Sequence, residues 1–341
     1  MDRSPLIRIG AGGEIGFYRA AFESDEFVWP LPQELVAHMR WRCFDAIVQI
    51  AAGNGEPGGI ALLLAKKVAL YLSSTLYFEL LRRALSSAPD RFVKISSNTI
   101  RFPSAEADMY FRTDTRWWKR LCLRSMAWAI RLAGRWDLPC PILSVFRHSA
   151  DRQLGMRWRF RMPFNNAIER GPVSLTPEEI ASIASTSRKY TSTIREWMDG
   201  GGWGLGEATW SDAERFVQES LHVCYADFVR YRAMFGGVGF NFASQSLSPY
   251  VPTIMATLAR HAGGKTYGSV HGSLDFGIQI PSLALEFLNC DVFVFPNAAE
   301  ALRAEHFLAQ TTAVPRPEFR VLNAPDRMHA PRRANSQKPI R

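Results

Sequence analysis

Four short apolar runs recur near the end of the chain: Val238-Gly239-Phe240-Asn241-Phe242-Ala243, Lys265-Thr266-Tyr267-Gly268-Ser269-Val270, Asp291-Val292-Phe293-Val294-Phe295 and Phe319-Arg320-Val321-Leu322. Helix-like patterns separate them, so the segment 238–323 predicts the order β-α-β-α-β-α-β. Continuous apolar strands that alternate with helices are typical of a parallel sheet covered on both faces. We therefore expect an α/β protein with an open, mostly parallel, Rossmann-like sheet, helices on both faces and additional helices.

Turn and capping residues set the predicted helix boundaries in this half. Thr176-Pro177-Glu178-Glu179 and Ser211-Asp212-Ala213-Glu214 each place a hydroxyl three residues before a glutamate, which is the pattern of a capping box. They predict helices that end at Gly200 and Gly236. Ser248-Pro249 predicts a third helix, which stops at Gly263-Gly264. Further helices are predicted over 281–288 and 298–309.

The carboxyl ends of the predicted strands carry the candidate site. In a parallel sheet these ends meet at one edge, where loops and helix N-termini leave a crevice for ligands. His271 follows the second run, and it is the predicted catalytic base because the ordinary pKa of imidazole, about 6.5, lies near working pH. A hydrogen-bonded structural histidine is the alternative, and we interpret the other six histidines in that way. The predicted substrate-binding residues follow the same strands: Ser244, Ser246, Gly272, Ser273, Asp275, which could orient His271, and Asn297.

A glycine-rich loop near the start of the chain is a second candidate. We predict a strand at 6–9, a loop at 10–16 and a helix at 17–22, and this arrangement can hold a phosphate at a helix N-terminus. The predicted phosphate-binding residues are Gly10, Gly12 and Gly13. The spacing to Gly16 exceeds the strict G-x-G-x-x-G by one residue, and no Tyr-x-x-x-Lys pair follows, as short-chain dehydrogenases would require. A plain tight turn is therefore the preferred alternative, and an NAD(P)-dependent oxidoreductase is a minor functional hypothesis.

The rest of the first half mixes strand and helix patterns. We predict a strand over 44–51, a long helix that ends at Leu85, a helix over 117–136 and a half-buried strand over 156–162. Arginines and aromatic residues alternate from 147 to 170, which would also suit stacking of single-stranded nucleic acid. In the helix 117–136, four arginines share one side, and tryptophan and leucine flank them. That helix could lie on an anionic membrane or be a core helix with a solvated basic edge.

The charge of the chain favours an anionic partner. Its formal net charge is +9, and part of the excess lies in the last residues, 326–341, which we predict to be a disordered basic tail. The five cysteines are scattered and form no Cys-x-x-Cys, which favours reduced thiols in the cytoplasm. Asp-x-Asp is absent, so we predict no metal. The start of the chain lacks a signal-peptide pattern and no apolar run reaches about 18 residues, so we expect no membrane span.

One motif resembles a known family. The segment from Ser248 to His271, which ends in Tyr267-Gly268-Ser269-Val270-His271-Gly272, resembles the helix, strand and His-Gly signature of GT-B type transferases. These include bacterial capsule-polysaccharide glycosyltransferases and CDP-glycerol glycerophosphotransferases of wall polymers. The resemblance covers 174–323. It implies that His271 acts on an acceptor hydroxyl in a cleft, and that the loop 10–16 faces the same cleft.

The chain departs from that family in one respect. In a GT-B enzyme most donor contacts come from a second domain, and 323–341 is too short to form one. We therefore expect a transferase half that is truncated, degenerate or dependent on a partner. The predicted units are an N-terminal α/β region (1–173), Rossmann-like βα repeats with His271 (174–325) and the tail (326–341).

These expectations give one leading function and one alternative from another class. The leading prediction is a cytoplasmic glycosyltransferase-like protein that transfers a sugar or polyol phosphate from a nucleotide-activated donor to a glycan acceptor during surface-polysaccharide synthesis. The donor is a nucleotide sugar or a CDP-polyol, and no other cofactor is expected. Contact with the inner face of an anionic membrane stays open. The alternative is a non-catalytic protein that binds nucleic acid or anionic membrane, with nucleic acid the less favoured partner.

Overall fold

A computed structural model describes residues 7–9, 15–17, 30–32, 34–53, 57–86, 93–95, 102, 116–135, 142–144, 159–161, 172–244, 246–247, 249–269, 286–309 and 316–321. Several predicted site residues lie outside these ranges: His271, Gly272, Ser273, Asp275, Gly10, Gly12 and Gly13. The predicted tail, 326–341, lies outside them as well.

A parallel sheet of six strands joins strands from 142–161 with those of the second half of the chain. Its spatial order is β5-β4-β6-β7-β8-β9, and all five pairings are parallel. The α/β class and the parallel direction of the strands predicted from 238–323 are confirmed, whereas cover by helices on both faces stays a prediction. The strands are β4 (Ile142–Ser144), β5 (Arg159–Arg161), β6 (Asn241–Ala243), β7 (Thr266–Ser269), β8 (Val292–Phe295) and β9 (Glu318–Val321).

The order of these strands reverses once. From β4 the chain adds β5 on one side, and it then returns to add β6 on the other side and continues outward to β9. In open parallel sheets such a reversal opens a crevice at the carboxyl ends of the two strands beside it. The crevice is therefore expected beyond Ser144 and Ala243. The sheet also joins strands from both sides of residue 173, so the predicted unit boundary runs through one sheet.

A smaller sheet holds the start of the chain. It has the order β2-β1-β3, formed by β1 (Ile7–Ile9), β2 (Ile15–Phe17) and β3 (Val93–Ile95). β1 pairs antiparallel with β2, with Ile7 opposite Phe17, and parallel with β3. The predicted helix start at Phe17 is wrong, because Phe17 belongs to a strand. The hairpin removes the helix N-terminus on which the phosphate-binding and oxidoreductase predictions for Gly10, Gly12 and Gly13 relied.

The described helices pack mainly against one another, and the two that follow β6 and β8 in the chain also contact the large sheet. The helices are α1 (Leu35–Gly53), α2 (Gly58–Leu64), α3 (Val68–Leu85), α4 (Trp117–Arg135), α5 (Pro177–Gly200), α6 (Glu207–Phe235), α7 (Tyr250–His261) and α8 (Ala298–Ala309). The predicted strand over 44–51 is wrong, because those residues continue α1. Met39, Cys43, Ile47 and Ile50 are buried at helical spacing. The run 44–51 resembles a strand only when it is read without the helical turns of α1 that precede it.

The capping predictions for α5 and α6 have different outcomes. At α5 the backbone N–H of Glu179 donates to Thr176 Oγ1 (3.2 Å) and that of Thr176 donates to Glu179 Oε2 (2.8 Å), so this capping box is confirmed. The predicted start of α6 at Ser211 is wrong. α6 begins one turn earlier, after Gly206, because Trp210 is buried and Arg195 pairs with Glu207 in the first turn.

Glycines end the helices as predicted. Gly236 caps α6 in the left-handed conformation, with φ of 70°, and its N–H donates to the carbonyl of Arg232. After α7 the chain passes through Gly263, with φ of 78°, and Gly264 then approaches β6 closely. A Cβ on Gly264 would lie 1.9 Å from the carbonyl oxygen of Phe240. This contact requires the absence of a side chain.

A helix that spans a membrane must be both long and apolar. Within the described ranges, no single helix meets both requirements, and the pair α2 and α3, bent by 72°, meets them only together. Most residues of both helices are buried inside the fold.

Candidate functional site

The candidate site lies at the carboxyl edge of the large sheet. Ser244 follows β6 directly, and Asn297 follows β8 by two residues. His271 follows the last residue of β7 by two positions in the sequence, but it lies outside the described residues, so its place at this edge stays a prediction. β6 borders the strand reversal, which makes the loop after Ala243 the described part of the expected crevice wall.

The loop 244–247 is held by its own hydroxyls. Ser244 is buried, and its Oγ donates to the carbonyl of Ser246 (2.6 Å) while it accepts from the N–H of Ser246 (3.3 Å). Ser246 Oγ donates to Glu286 Oε1 at 2.5 Å. The structure thus brings both predicted serines into one loop, but their hydroxyls bind protein groups. In the structure, the two hydroxyls fix the conformation of the loop that follows β6.

Glu286 and Lys66 also bind the loop 244–247 through hydrogen bonds to the backbone of Leu247. Glu286 Oε2 accepts a hydrogen bond from the N–H of Leu247, and Lys66 Nζ donates to the carbonyl of Leu247 at 2.9 Å. Thr253 Oγ1 donates to the same carbonyl at 2.8 Å. Lys66 is 1% exposed and lies in the turn between α2 and α3. A buried ammonium requires such hydrogen bonds and a neighbouring negative charge, and the turn between α2 and α3 is thereby joined to the sheet edge.

Burial changes the acidity of Lys66. Desolvation lowers the pKa of its ammonium from an ordinary 10.5 to about 8, the nearby Glu286 carboxylate partly opposes this shift, and Lys67 adds to it. Desolvation alone lowers the pKa of Lys67 to about 8 as well. A lysine with such a pKa can lose its proton at mildly basic pH, so the stability of this edge depends on pH in that range.

Replacing Lys66 by methionine is expected to remove a pH-dependent part of the stability. The unfolded chain keeps the Lys66 ammonium protonated up to about pH 10.5 and the folded chain up to about pH 8, so unfolding takes up a proton between these values. As the pH rises across this window, the free energy of unfolding of wild type therefore increases by about 3 kcal/mol compared with that of Lys66→Met. Urea unfolding of both proteins at pH 7.5 to 10.5 measures this difference.

The effects of other groups that titrate in the same pH range cancel in the difference between wild type and Lys66→Met. Lys67 and the buried thiols of Cys43 and Cys290, whose pKa values burial raises, occur in both proteins. A difference between wild type and Lys66→Met that stays constant with pH would show that Lys66 keeps its ordinary pKa in the folded protein.

Asn297 caps a helix. Its Oδ1 accepts from the N–H of Glu300 at 2.9 Å, and this bond satisfies a donor in the first turn of α8. Its Nδ2 lies 3.4 Å from Glu300 Oε1. The side chain is exposed at the predicted edge, so it can contact a ligand there only in addition to its capping role.

A cavity of about 490 Å³ lies at the other edge of the sheet. It is bordered by the end of α6, the end of α7 and the residues that lead into β6. Most of its lining is apolar, including Phe235, Val238 and Leu258, and Arg232 and His261 add polar groups. The His261 ring meets Phe228 edge-on, with 5.7 Å between ring centroids. His261, which we interpreted as structural, is therefore a second candidate for a ligand-binding histidine besides His271.

The described residues include no cluster of metal ligands, and three of the four described cysteines are buried, whereas Cys122 is exposed. No group of three or more His, Cys, Asp or Glu side chains that could hold a metal ion occurs in the described part of the chain. Cys43, Cys224 and Cys290 are buried, and burial raises the pKa of the Cys43 thiol to about 12, although a hydrogen bond with Tyr190 opposes this. Such a thiol stays protonated and is not a nucleophile at neutral pH.

Lys66 and Glu286 are the residues of this edge that sequence reasoning missed. A signal for Lys66 existed, because a lysine inside the apolar run 60–81 must either interrupt a core or find a buried partner. Glu286 carries no such signal. No family model, curated protein or solved structure matches the chain.

Proposed function

We propose that the chain is a GT-B-like transferase that binds a nucleotide-activated sugar or polyol phosphate and directs it to a glycan acceptor. The observation that carries this proposal is the reversal of strand order between β4 and β6 in a parallel sheet. This is the arrangement in which open α/β sheets bind phosphorylated ligands beyond the strand ends. The net charge of +9 is compatible with an anionic donor.

The residues of the edge divide into two roles in this proposal. Lys66, Glu286, Ser244 and Ser246 fix the loop beside the reversal, so that its backbone groups are positioned before a ligand arrives. His271 accepts the proton of the acceptor hydroxyl, and the small residue Gly272 lets the backbone approach the ligand. Asp275 orients His271, and Ser273 and Asn297 bind the substrate.

A panel of nucleotides tests the proposal by thermal shift. Purified protein is heated with UDP-, GDP- and CDP-linked sugars, CDP-glycerol and NAD⁺ in separate samples. One of the nucleotide donors is expected to raise the Tm by roughly 4 °C or more at a concentration of 100 times its Kd, because binding to the folded state alone stabilises it. A shift with NAD⁺ alone would favour the oxidoreductase alternative.

Variants locate the bound nucleotide. His261→Ala changes the cavity at the opposite edge, so the shift is expected to survive in this variant. Loss of the shift in His261→Ala, with an unchanged Tm of the unliganded protein, would move the site to that cavity. The absence of a shift with every donor would count against the transferase proposal.

A further inference from the structure

The helix α4 presents large apolar side chains to solvent. Trp117 is 70% exposed, Leu121 is 55% exposed and Trp128 is 59% exposed. At 100° per residue these three positions fall within about 40° of one another, so they form one stripe along the helix. We name Trp117, Leu121 and Trp128 the α4 stripe. Scattered single hydrophobic residues are normal on a protein surface, but an aligned stripe of this size marks an interaction site.

The opposite side of α4 is fixed to the fold. Leu123, Met126, Ala127 and Ile130 are buried, and α4 packs against α6. Near the end of α4, Gly134 lies against Val238, where an added Cβ would come 2.4 Å from Val238 Cγ1. The stripe is therefore held facing outward by a helix that is already folded, and no ordering of the helix is needed when a partner binds.

Basic residues follow one side of the stripe. Arg120, Arg124, Arg131 and Arg135 lie within about 60° on the helical projection, and the last three are exposed. The sequence 116–135 contains six Lys or Arg residues and no Asp or Glu. A surface that combines exposed tryptophan and leucine with cations alone is complementary to a layer that has negative charge outside and hydrocarbon beneath.

We propose that α4 docks this protein on an anionic phospholipid surface, with the helix lying in the plane of the interface. Trp117, Leu121 and Trp128 enter the boundary between headgroups and acyl chains, and the arginines meet the lipid phosphates. An aliphatic side chain in the middle of the stripe favours lipid over nucleic acid, since nucleic-acid platforms use rings that stack on bases. The proposal goes beyond the transferase function and is independent of it.

Flotation with vesicles tests the proposal. Full-length protein is mixed with vesicles of phosphatidylcholine alone, or with ~30 mol% phosphatidylglycerol, which gives a negative surface potential. The protein is expected to float only with the anionic vesicles and to dissociate at high salt. The double variant Trp117→Ser/Trp128→Ser is expected to bind about a hundred times more weakly, because each of the two large apolar side chains adds about tenfold or more. Arg120→Gln/Arg124→Gln/Arg131→Gln is expected to lower the affinity on the order of a hundredfold.

Matched controls come from α8. Leu302 is 63% exposed and Arg303 is exposed beside it, so Leu302→Ser/Arg303→Gln removes one apolar and one basic group of the same kind elsewhere. This control is expected to bind vesicles as wild type does. Failure of wild type to float with anionic vesicles would overturn the proposal, and so would equal binding by the tryptophan variant when circular dichroism shows it folded. Salt-sensitive binding to a single-stranded oligonucleotide without vesicle binding would overturn it in favour of nucleic acid.

Discussion

Replacing His271 by alanine is expected to lower the rate of transfer by about 10²–10⁴-fold, which is the usual contribution of a general base. The free energy of unfolding is expected to change by less than about 1 kcal/mol, because the proposed role puts the His271 side chain in contact with substrate and outside the core. The assay uses the donor that gives the largest thermal shift, and it follows transfer to a glycan acceptor together with urea unfolding of the same samples.

Two other histidines serve as controls for this result. His222 is exposed on α6 and does not line the cavity, so His222→Ala should keep full activity. His261 lines the cavity at the opposite edge. If His261→Ala loses activity while His271→Ala keeps it, the chemistry belongs to that cavity. Unfolding of His271→Ala would instead identify His271 as a structural residue.

Replacing Gly264 by alanine is expected to destabilise the protein by about 3 kcal/mol or more, at the upper end of the range for overpacking. The added Cβ would meet the carbonyl oxygen of Phe240 at 1.9 Å and the carbonyl carbon at 2.6 Å. These are backbone atoms at the entry to β6, so relief requires that β6 and β7 move apart. Chemical denaturation of wild type and variant measures the difference.

Gly263 provides the matched control. It has φ of 78°, and an added Cβ would have no atom within 4 Å, so alanine there only strains the backbone. The expected loss is about 1 kcal/mol. Equal losses at the two neighbouring glycines would mean that the approach of Gly264 to β6 does not limit stability, and that the turn accommodates a side chain by a local shift.

Much of the sheet could be predicted because local signals agree with it. The runs 291–295 and 319–322 and the helix 298–309 form as their apolar patterns and lengths indicate, and Gly236 ends α6 where a left-handed residue was needed. Parallel pairing followed from the alternation of strands and helices. These features depend on residues close together in the chain, so a window of ten to twenty residues contains the information.

The arrangement of the edge could not be predicted in the same way. Lys66 binds the carbonyl of Leu247 across 181 residues of sequence, and no local pattern pairs them. The serines were expected to face a ligand, but Ser246 binds Glu286, and Ser244 is buried within its own loop. β4 and β5 contribute three residues each, too few to show a period. The reversal of strand order that defines the crevice could therefore not be predicted from the sequence, and only the structure shows it.

The position of β4 has a consequence for dissecting this protein. A recombinant fragment limited to 174–325 would omit β4 and β5, and one long side of β6 would lose its hydrogen-bonding neighbour. Unpaired N–H and C=O groups along an apolar strand recruit strands from other molecules, which leads to self-association. The same fragment would leave Glu286 without the Lys66 ammonium. We therefore expect a fragment that keeps β4 and β5, and so begins before residue 142, to self-associate less than the fragment 174–325.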